Sequence, residues 1–395
     1  MNEQAIMRGK TAIVGVGDVI PKRGETLDDY WGLAVEASLQ ALDEAGLTTK
    51  DIDGVVFSRS GYPIAFPTFP TNFCQQMGIV PGFMEATPHG GQQMGSMLWR
   101  AAIAITTGMA SRVLIVATDN RESRLTRGGV VNRIASQNTD TEFEYPFGPL
   151  FPSAMALLAQ RHMHTFGTTS EQLASVAVEQ RKWAAMHPKA MMQKPLTIEE
   201  VLASKMITSP LHLLDICLVT DGGGAAVMVR DDEARDCGKP PVYLLGFGDS
   251  AETQGVSYLQ DYVQPAMYRR ATEQAMRMAG VSHSDVDVLF PYDPCTFHVV
   301  WGLEQMGFCK PGEAAAFVAE GNLARGGKLP ANTHGGLLSY CHPGIAGGFL
   351  SIVEAIRQLR GECGDRQVPN ANIAMASAMG GFMAWGVNIL GREPR

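Results

Sequence analysis

The stretch ALDEAGLTTKDIDGVVF, Ala41 to Phe57, returns later in the chain as AMRMAGVSHSDVDVLF, Ala275 to Phe290. Both read as a helix ending at Ala-Gly, a short turn, an Asp-x-Asp pair and an apolar strand. Upstream of each stands a matching strand and loop, IVGVGD from Ile13 to Asp18 and LLGFGD from Leu244 to Asp249. The order strand, helix, Ala-Gly, strand kept twice means two copies of one supersecondary unit, too few for a solenoid.

Working outward, Trp31, Val35, Leu39 and Leu42 recur at helical spacing behind the cap candidates Thr26 and Asp29, and Gly46 stops that helix. Pro265 is placed to open the equivalent helix, with Met267, Ala271 and Met278 as apolar positions and Gly280 as its stop. A helix from about Gly95 to Gly108 feeds the strand RVLIVATD, Arg112 to Asp119. Another from about Ala346 to Leu359 feeds NIAMASAM, Asn372 to Met379. Short apolar strands alternating with helices imply an α/β class with sheets covered on both faces. The halves are expected at 1–230 and 231–395, the first including a helical insertion at about 150–210. In that insertion Thr168 and Glu171 read as a capping box and Thr197 as a second helix start. Linker-like composition is absent, so the halves are expected to share one compact body. RVLIVATD would leave a long apolar edge in a monomer, which predicts a homodimer through this part of the first half.

Composition bounds the function classes. The length of 395 residues, 45% hydrophobic and 18% charged, describes a chain with a large core. A net charge of −8 with no Lys/Arg-rich run argues against nucleic acid. Seven cysteines without CxxC spacing read as reduced thiols, not as a disulfide frame or zinc site. TAIVGVGDVI is too short and glycine-rich for a signal-peptide core, and no apolar stretch reaches the roughly 20 residues a membrane span needs. A cytosolic enzyme is the expectation.

Two glycine clusters stand at corresponding places in the halves: GGQQMG, Gly90 to Gly95, and GGLLSYCHPG, Gly335 to Gly344. Paired glycines let the backbone approach a ligand closely, and Pro343 fixes the chain just after His342. Three other signals are weak. GVGDVI, Gly15 to Ile20, lacks the third glycine of a dinucleotide fingerprint and no helix obviously follows it. His162 and His164 do not share a helix face and have no third ligand. The 21 methionines suggest pliable packing, not a metal site.

The blocks RHMHTFGTTSEQLASVAVEQRKWAAMHPKA, Arg161 to Ala190, and KPLTIEEVLASKMITSPLHLLDICLVTDGGGAAV, Lys194 to Val227, resemble one branch of the thiolase superfamily. That branch holds the sterol-carrier-protein thiolases and the lipid-transfer-protein aldolases, and the resemblance covers nearly the whole chain. It implies two similar α/β halves in a five-layered αβαβα body, usually dimeric, acting on acyl-CoA thioesters. The family's Gly-His-Pro becomes Cys341-His342-Pro343, so His342 is carried over as catalytic. The family's His-Asp-Cys-Phe or Asn-Glu-Ala-Phe falls on Tyr292 to Cys295, so Tyr292 stands where that His or Asn would be. The nucleophilic Cys-x-x-Gly reads Gln92-Gln93-Met94-Gly95 here, and the family's second cysteine has no counterpart in SAMGG, Ser377 to Gly381. The aldolase branch has a tyrosine at the Tyr292 position and is expected to carry another at that of His342. The branch often works with a zinc-ribbon/OB-fold partner that helps bind CoA, and nothing in this chain encodes one.

Loss of both cysteines limits the chemistry. Cleaving a β-ketoacyl thioester needs a nucleophile to carry away the acyl fragment. Retro-aldol cleavage of a β-hydroxyacyl thioester needs only a base, an acid and donors for an enolate oxygen. His342, Tyr292 and the amides of the loops at Gly91, Gly336, Gly380 and Gly381 meet that list, with Gln92 at the vacated nucleophile position. Three rivals stay open: a Claisen-type thiolase using Cys341 or Cys295, thioester decarboxylation, and a non-catalytic lipid-binding or scaffold subunit. Aromatics between Phe57 and Phe83 suit a bulky acyl group or an interface. Arg181, Lys182, Lys189 and Lys194 are the candidates for CoA phosphates. No resident cofactor or metal is expected, CoA being part of the substrate.

Overall fold

The computed structural model describes residues 7–22, 30–58, 69–87, 93–124, 139–140, 142–148, 151–253, 255–380 and 383–395, without the side chains at 30, 69, 93 and 124. Thr26, Asp29, Gly91, Gln92 and Gly381 lie outside the described residues. The strands are β1 (Thr11–Val19), β2 (Gly54–Ser58), β3 (Phe83–Thr87), β4 (Arg112–Asn120), β5 (Met206–Thr208), β6 (Leu211–His212), β7 (Asp221–Arg230), β8 (Val242–Ala251), β9 (Val288–Phe290), β10 (Ile373–Gly380) and β11 (Ala384–Gly391). The longer helices are α1 (Tyr30–Ala45), α2 (Phe69–Met77), α3 (Gln93–Thr106), α4 (Phe151–Phe166), α5 (Ser170–Ala185), α6 (Ile198–Ala203), α7 (Ala266–Ala279), α8 (Thr296–Gln305), α9 (Ala314–Ala319) and α10 (Gly347–Arg360).

The repeat is visible in the strand order β3-β2-β4-β7-β1-β8-β11-β10-β9 of one mixed sheet. Outward from the central β1–β8 pair, the first half runs β1-β7-β4-β2-β3 and the second β8-β11-β10-β9. Each half pairs antiparallel for two steps and then parallel. The halves join antiparallel through Ala12–Tyr243 and Ile13–Val242, as a pseudo-twofold axis requires. Helices α3 and α10 pack against strands of both halves, while α1 covers β1 and β7 and α7 covers β8 and β11. The result is the five-layered αβαβα body. Its middle core joins Ile13, Val16, Met97, Ile115, Phe290, Phe349 and Ile356 across the two halves.

The glycine pairs of GVG and GFG make the outer layers possible. A Cβ on Gly15 or Gly17 would collide with the carbonyl oxygens of Ala41 and Ala37. A Cβ on Gly246 or Gly248 would collide with those of Ala275 and Ala271. Each helix therefore lays an alanine stripe (Ala37, Ala41, Ala45 and Ala271, Ala275, Ala279) on bare backbone. This corrects the expected helix faces, since Leu39 is exposed and Met278 only half-buried. It also explains GVGDVI as a packing motif.

The Asp-x-Asp pairs are two sets of hydrogen bonds used twice. Asp51 Oδ2 accepts from Thr48 N at 2.8 Å, and Asp285 Oδ2 from Ser282 N at 2.7 Å, closing the turn after each helix. Asp53 accepts from the amides of Ser111 and Arg112 at the start of β4. Asp287 does the same for Asn372 and Ile373 at the start of β10.

Two expectations need correction. The capping box of the insertion is one residue on, at Thr169 and Gln172, because the Thr168 hydroxyl meets His162 Nδ1 at 3.0 Å. Thr197 does cap α6, with Glu200. RVLIVATD is no edge: β4 lies between β2 and β7, and the described sheet ends in β3 and β9. The edge argument for a homodimer through this strand therefore falls. Phe57 and Phe73 are buried core partners with ring centroids 5.0 Å apart, so they do not line an acyl site, and Tyr62 and Phe66 lie outside the described residues.

Gly248→Ala forces β8 away from α7 and should destabilise the protein by about 1–3 kcal/mol. Leu39→Ala, on the exposed side of α1, should change stability by no more than about 0.5 kcal/mol. Urea unfolding of both variants checks the contrast.

Candidate active site

The strand ends near the middle of the body gather the polar residues. Beyond β9 the chain turns through Tyr292 and Asp293 and is held from three directions. Asn332 Nδ2 donates to the Pro291 carbonyl at 3.0 Å, and Tyr292 N donates to Ser377 Oγ at 3.2 Å. His298 Nδ1 donates to the Tyr292 carbonyl at 2.7 Å, which leaves its Nε2 to accept from the Tyr268 hydroxyl at 2.8 Å. Burial holds His298 neutral, its pKa down to about 4.

His342 is fixed by the segment before β7. Its amide donates to Thr220 Oγ1 at 2.9 Å, and its Nδ1 stands 3.0 Å from the Leu218 carbonyl. A carbonyl only accepts, so Nδ1 carries the proton of the neutral ring and Nε2 keeps its lone pair. Burial, reinforced by the charge of Arg121, lowers the His342 pKa to about 3. The Tyr292 and His342 rings meet edge-on, centroids 6.5 Å apart at 79°. Burial raises the Tyr292 phenol well above its usual value, helped by Cys217 and opposed by Arg121. Burial thus favours the neutral form of both rings.

The other expected residues are placed as follows. Cys341 is buried with its sulfur 3.0 Å from Thr220 Oγ1, and burial pushes its thiol up to about 12. Cys295 caps α8 inside the core, its pKa also raised by burial. Burial disfavours the thiolate form of both, which weighs against either as a relocated nucleophile. Gly336 opens a helical turn, Gly336–Ser339, and the Asp293 carboxylate takes the place its Cβ would need. Gly380 ends β10, paired with Ala384. The Met94 side chain packs on Gly348 and the His342 ring on Gly347, neighbouring residues at the start of α10.

Of the four basic candidates, Arg181 is buried and the three lysines are exposed. The buried Arg181 donates to Ser339 Oγ at 2.9 Å and to the Lys194 carbonyl at 3.1 Å. Lys189 Nζ sits 3.1 Å from both carboxylate oxygens of Asp18. Lys182 pairs with Glu179 at 2.6 Å, and Lys194 is exposed. Among the described residues no group of three or more His, Cys, Asp or Glu is arranged to hold a metal ion.

Sequence reasoning missed Asp119 and Arg121, Asp293 and His298. Asp119 is fully buried at the end of β4, where burial raises its pKa to about 6 against the pull of Arg121. Asp293 is likewise lifted by burial to about 8. A polar residue ending an otherwise apolar strand, as Asp119 ends RVLIVATD, was the available signal, because open α/β sheets bind ligands at such ends.

The thiolase C-terminal domain-like family matches residues 248–392. The chain is 33% identical over 401 residues to a steroid side-chain-cleaving aldolase of Thermomonospora curvata, covering 95% of this chain and 97% of that one. It is 35% identical over 379 residues to a 17-hydroxy-3-oxo-4-pregnene-20-carboxyl-CoA lyase of Mycobacterium tuberculosis, covering 90% and 93%. A solved structure of an Ltp2-ChsH2(DUF35) aldolase superposes with a TM-score of 0.86 at 31% identity, over 99% of this chain and 100% of that one.

The buried groups make a pH prediction. Unfolded histidines bind a proton below about pH 6.5, whereas His187, His298, His334 and His342 refuse one down to about 3, 4, 4 and 3. Acidification therefore removes stability through these four. Asp119, Asp293 and Asp215 act oppositely, since their raised folded pKa values bind protons before the unfolded chain does. The histidines outnumber them, so the thermal midpoint should fall between about pH 6.5 and pH 4.5. A midpoint that rises on acidification over that interval contradicts these assignments.

Proposed function

The chain belongs to the thiolase superfamily, in the branch of the sterol-carrier-protein thiolases and lipid-transfer-protein aldolases, and we propose that its site cleaves a bulky β-hydroxyacyl-CoA through the His342–Tyr292 pair. It is an enzyme of CoA thioesters that breaks a carbon–carbon bond by retro-aldol chemistry. The observation that carries the residue assignment is the neutral imidazole edge-on to a neutral phenol, with Cys341 and Cys295 both buried as thiols.

In this reading His342 Nε2 accepts the proton of the substrate β-hydroxyl. The oxygen lone pair forms the new carbonyl as the Cα–Cβ bond breaks, and its electron pair moves into the thioester as an enolate. Tyr292 donates the hydrogen bond, and then the proton, that the departing fragment needs at Cα. The phenol is recharged from the protonated His342, so atoms and protons balance without a cofactor. A steroid-like acyl group is the proposed substrate class, supported by the names of the two relatives. A zinc-ribbon/OB-fold partner is part of the proposal, supported by the complex in which the similar aldolase was solved. A homodimer and a cytosolic location complete the reading; among the described residues no helix is long and apolar enough to cross a membrane.

His342→Ala and Tyr292→Phe should each lower turnover of a β-hydroxyacyl-CoA by about 10²-fold or more. Cys341→Ala should keep most activity. Mass spectrometry of products should show a ketone or aldehyde and a shortened acyl-CoA without uptake of free CoA. Stoichiometric CoA uptake, or an acyl group trapped by rapid quench on Cys341, Cys295 or the half-buried Cys217, would reverse the assignment in favour of a Claisen thiolase.

A further inference from the structure

The residue that follows β4, Arg121, has no place in the acid–base pair, yet it points into the same site. A Cβ on Gly344 would collide with Cζ, Nε and Nη2 of Arg121, so the guanidinium lies directly on the α-carbon of that glycine. Gly344 has φ +58 and is the last residue of the His-Pro-Gly run. The Arg121 side chain is 11% exposed. Its Nε lies 3.9 Å from Asp119 Oδ2, too far for a hydrogen bond, and has no hydrogen-bond partner among the described residues. Its charge reaches both His342 and Tyr292, where it opposes protonation of the imidazole and favours ionisation of the phenol.

A buried ion pair stabilises a fold only when its geometry is good and its donors are satisfied. This pair is long and leaves a donor unmet, which fits a cation held ready for a ligand better than a structural tie. The reaction supplies one. Breaking the Cα–Cβ bond puts a negative charge on the thioester oxygen, and His342 and Tyr292 are both neutral before the step. Arginine keeps its charge when buried, and a charge in a site closed to water acts more strongly than one in solution.

We propose that Arg121 is a further catalytic residue, the cation that stabilises the thioester enolate from its seat on Gly344. The inference rests on the retro-aldol reading above and deepens it.

The test uses the full chain, with its partner subunit if activity needs one, and two readouts. One is turnover of a β-hydroxyacyl-CoA; the other is exchange of the α-protons of propionyl-CoA with D2O, which requires the enolate but no carbon–carbon cleavage. Arg121→Met should lower both by about 10²-fold or more, the loss typical of one oxyanion donor, with KM changed less than about threefold. Arg121→Lys should recover part of the loss. If Arg121→Met fails to fold by circular dichroism, Arg121→Gln, polar but shorter and uncharged, decides by the same readouts. A folded Met or Gln variant that exchanges at the wild-type rate overturns the proposal and leaves the retro-aldol reading standing. A wild-type enzyme that neither exchanges nor cleaves overturns both.

Discussion

The carboxylate of Asp18 is the knot on which the site depends. It is buried at the end of β1 and receives the Arg357 guanidinium, Lys189 Nζ at 3.1 Å and the Tyr340 hydroxyl at 2.9 Å. These donors come from the central helix α10, the insertion and the loop that carries His342. Burial alone would push its pKa up, but Arg357 and Lys189 override that and hold it at about 2. Removing the acid would leave the partly buried Arg357 guanidinium without its carboxylate, the costly way to break such a network. The His342 loop is rigid because residue 340 is anchored here and residue 342 is anchored on Leu218 and Thr220.

The same knot shows where the internal repeat stops being symmetric. Asp18 ends GVGD and Asp249 ends GFGD, and both glycine pairs receive an alanine stripe in the same way. Yet Asp18 is buried in a network while Asp249 is exposed. Packing imposes the glycines and therefore both copies keep them. The acid is imposed by what lies above it, and among the described residues the insertion and the His342 loop both reach Asp18, through Lys189 and Tyr340.

This difference explains what the sequence disclosed. Two halves, their helix stops and the Asp-x-Asp turns were legible because each rests on a local pattern, such as a cap or a periodicity of a few residues. The interior place of β4 was not, since an apolar strand reads the same at an edge or in the centre. The alanine faces of α1 and α7 were missed because hydrophobic patterning favours large residues, whereas close approach to a strand selects small ones. His342 and Tyr292 came from motif positions. Asp119 had a local signal as the polar end of an apolar strand, whereas His298 and Arg121 meet residues distant in sequence and a lone Arg after a strand carries no local signature.

The electrostatics of the site follow from one constraint, that its groups are buried before a substrate arrives. Burial penalises every charged form, so the imidazole of His342 stays unprotonated, the phenol of Tyr292 stays intact and Asp293 is lifted to about 8. The same burial raises the thiols of Cys341 and Cys295, so an acyl-enzyme on either would have to form its thiolate against that penalty. Retro-aldol cleavage begins from neutral groups and a neutral β-hydroxyl, and its charge develops only in the transition state. A preorganised cation that meets that charge, already desolvated at folding, then stabilises the transition state more than the bound substrate, which is the condition for raising the rate.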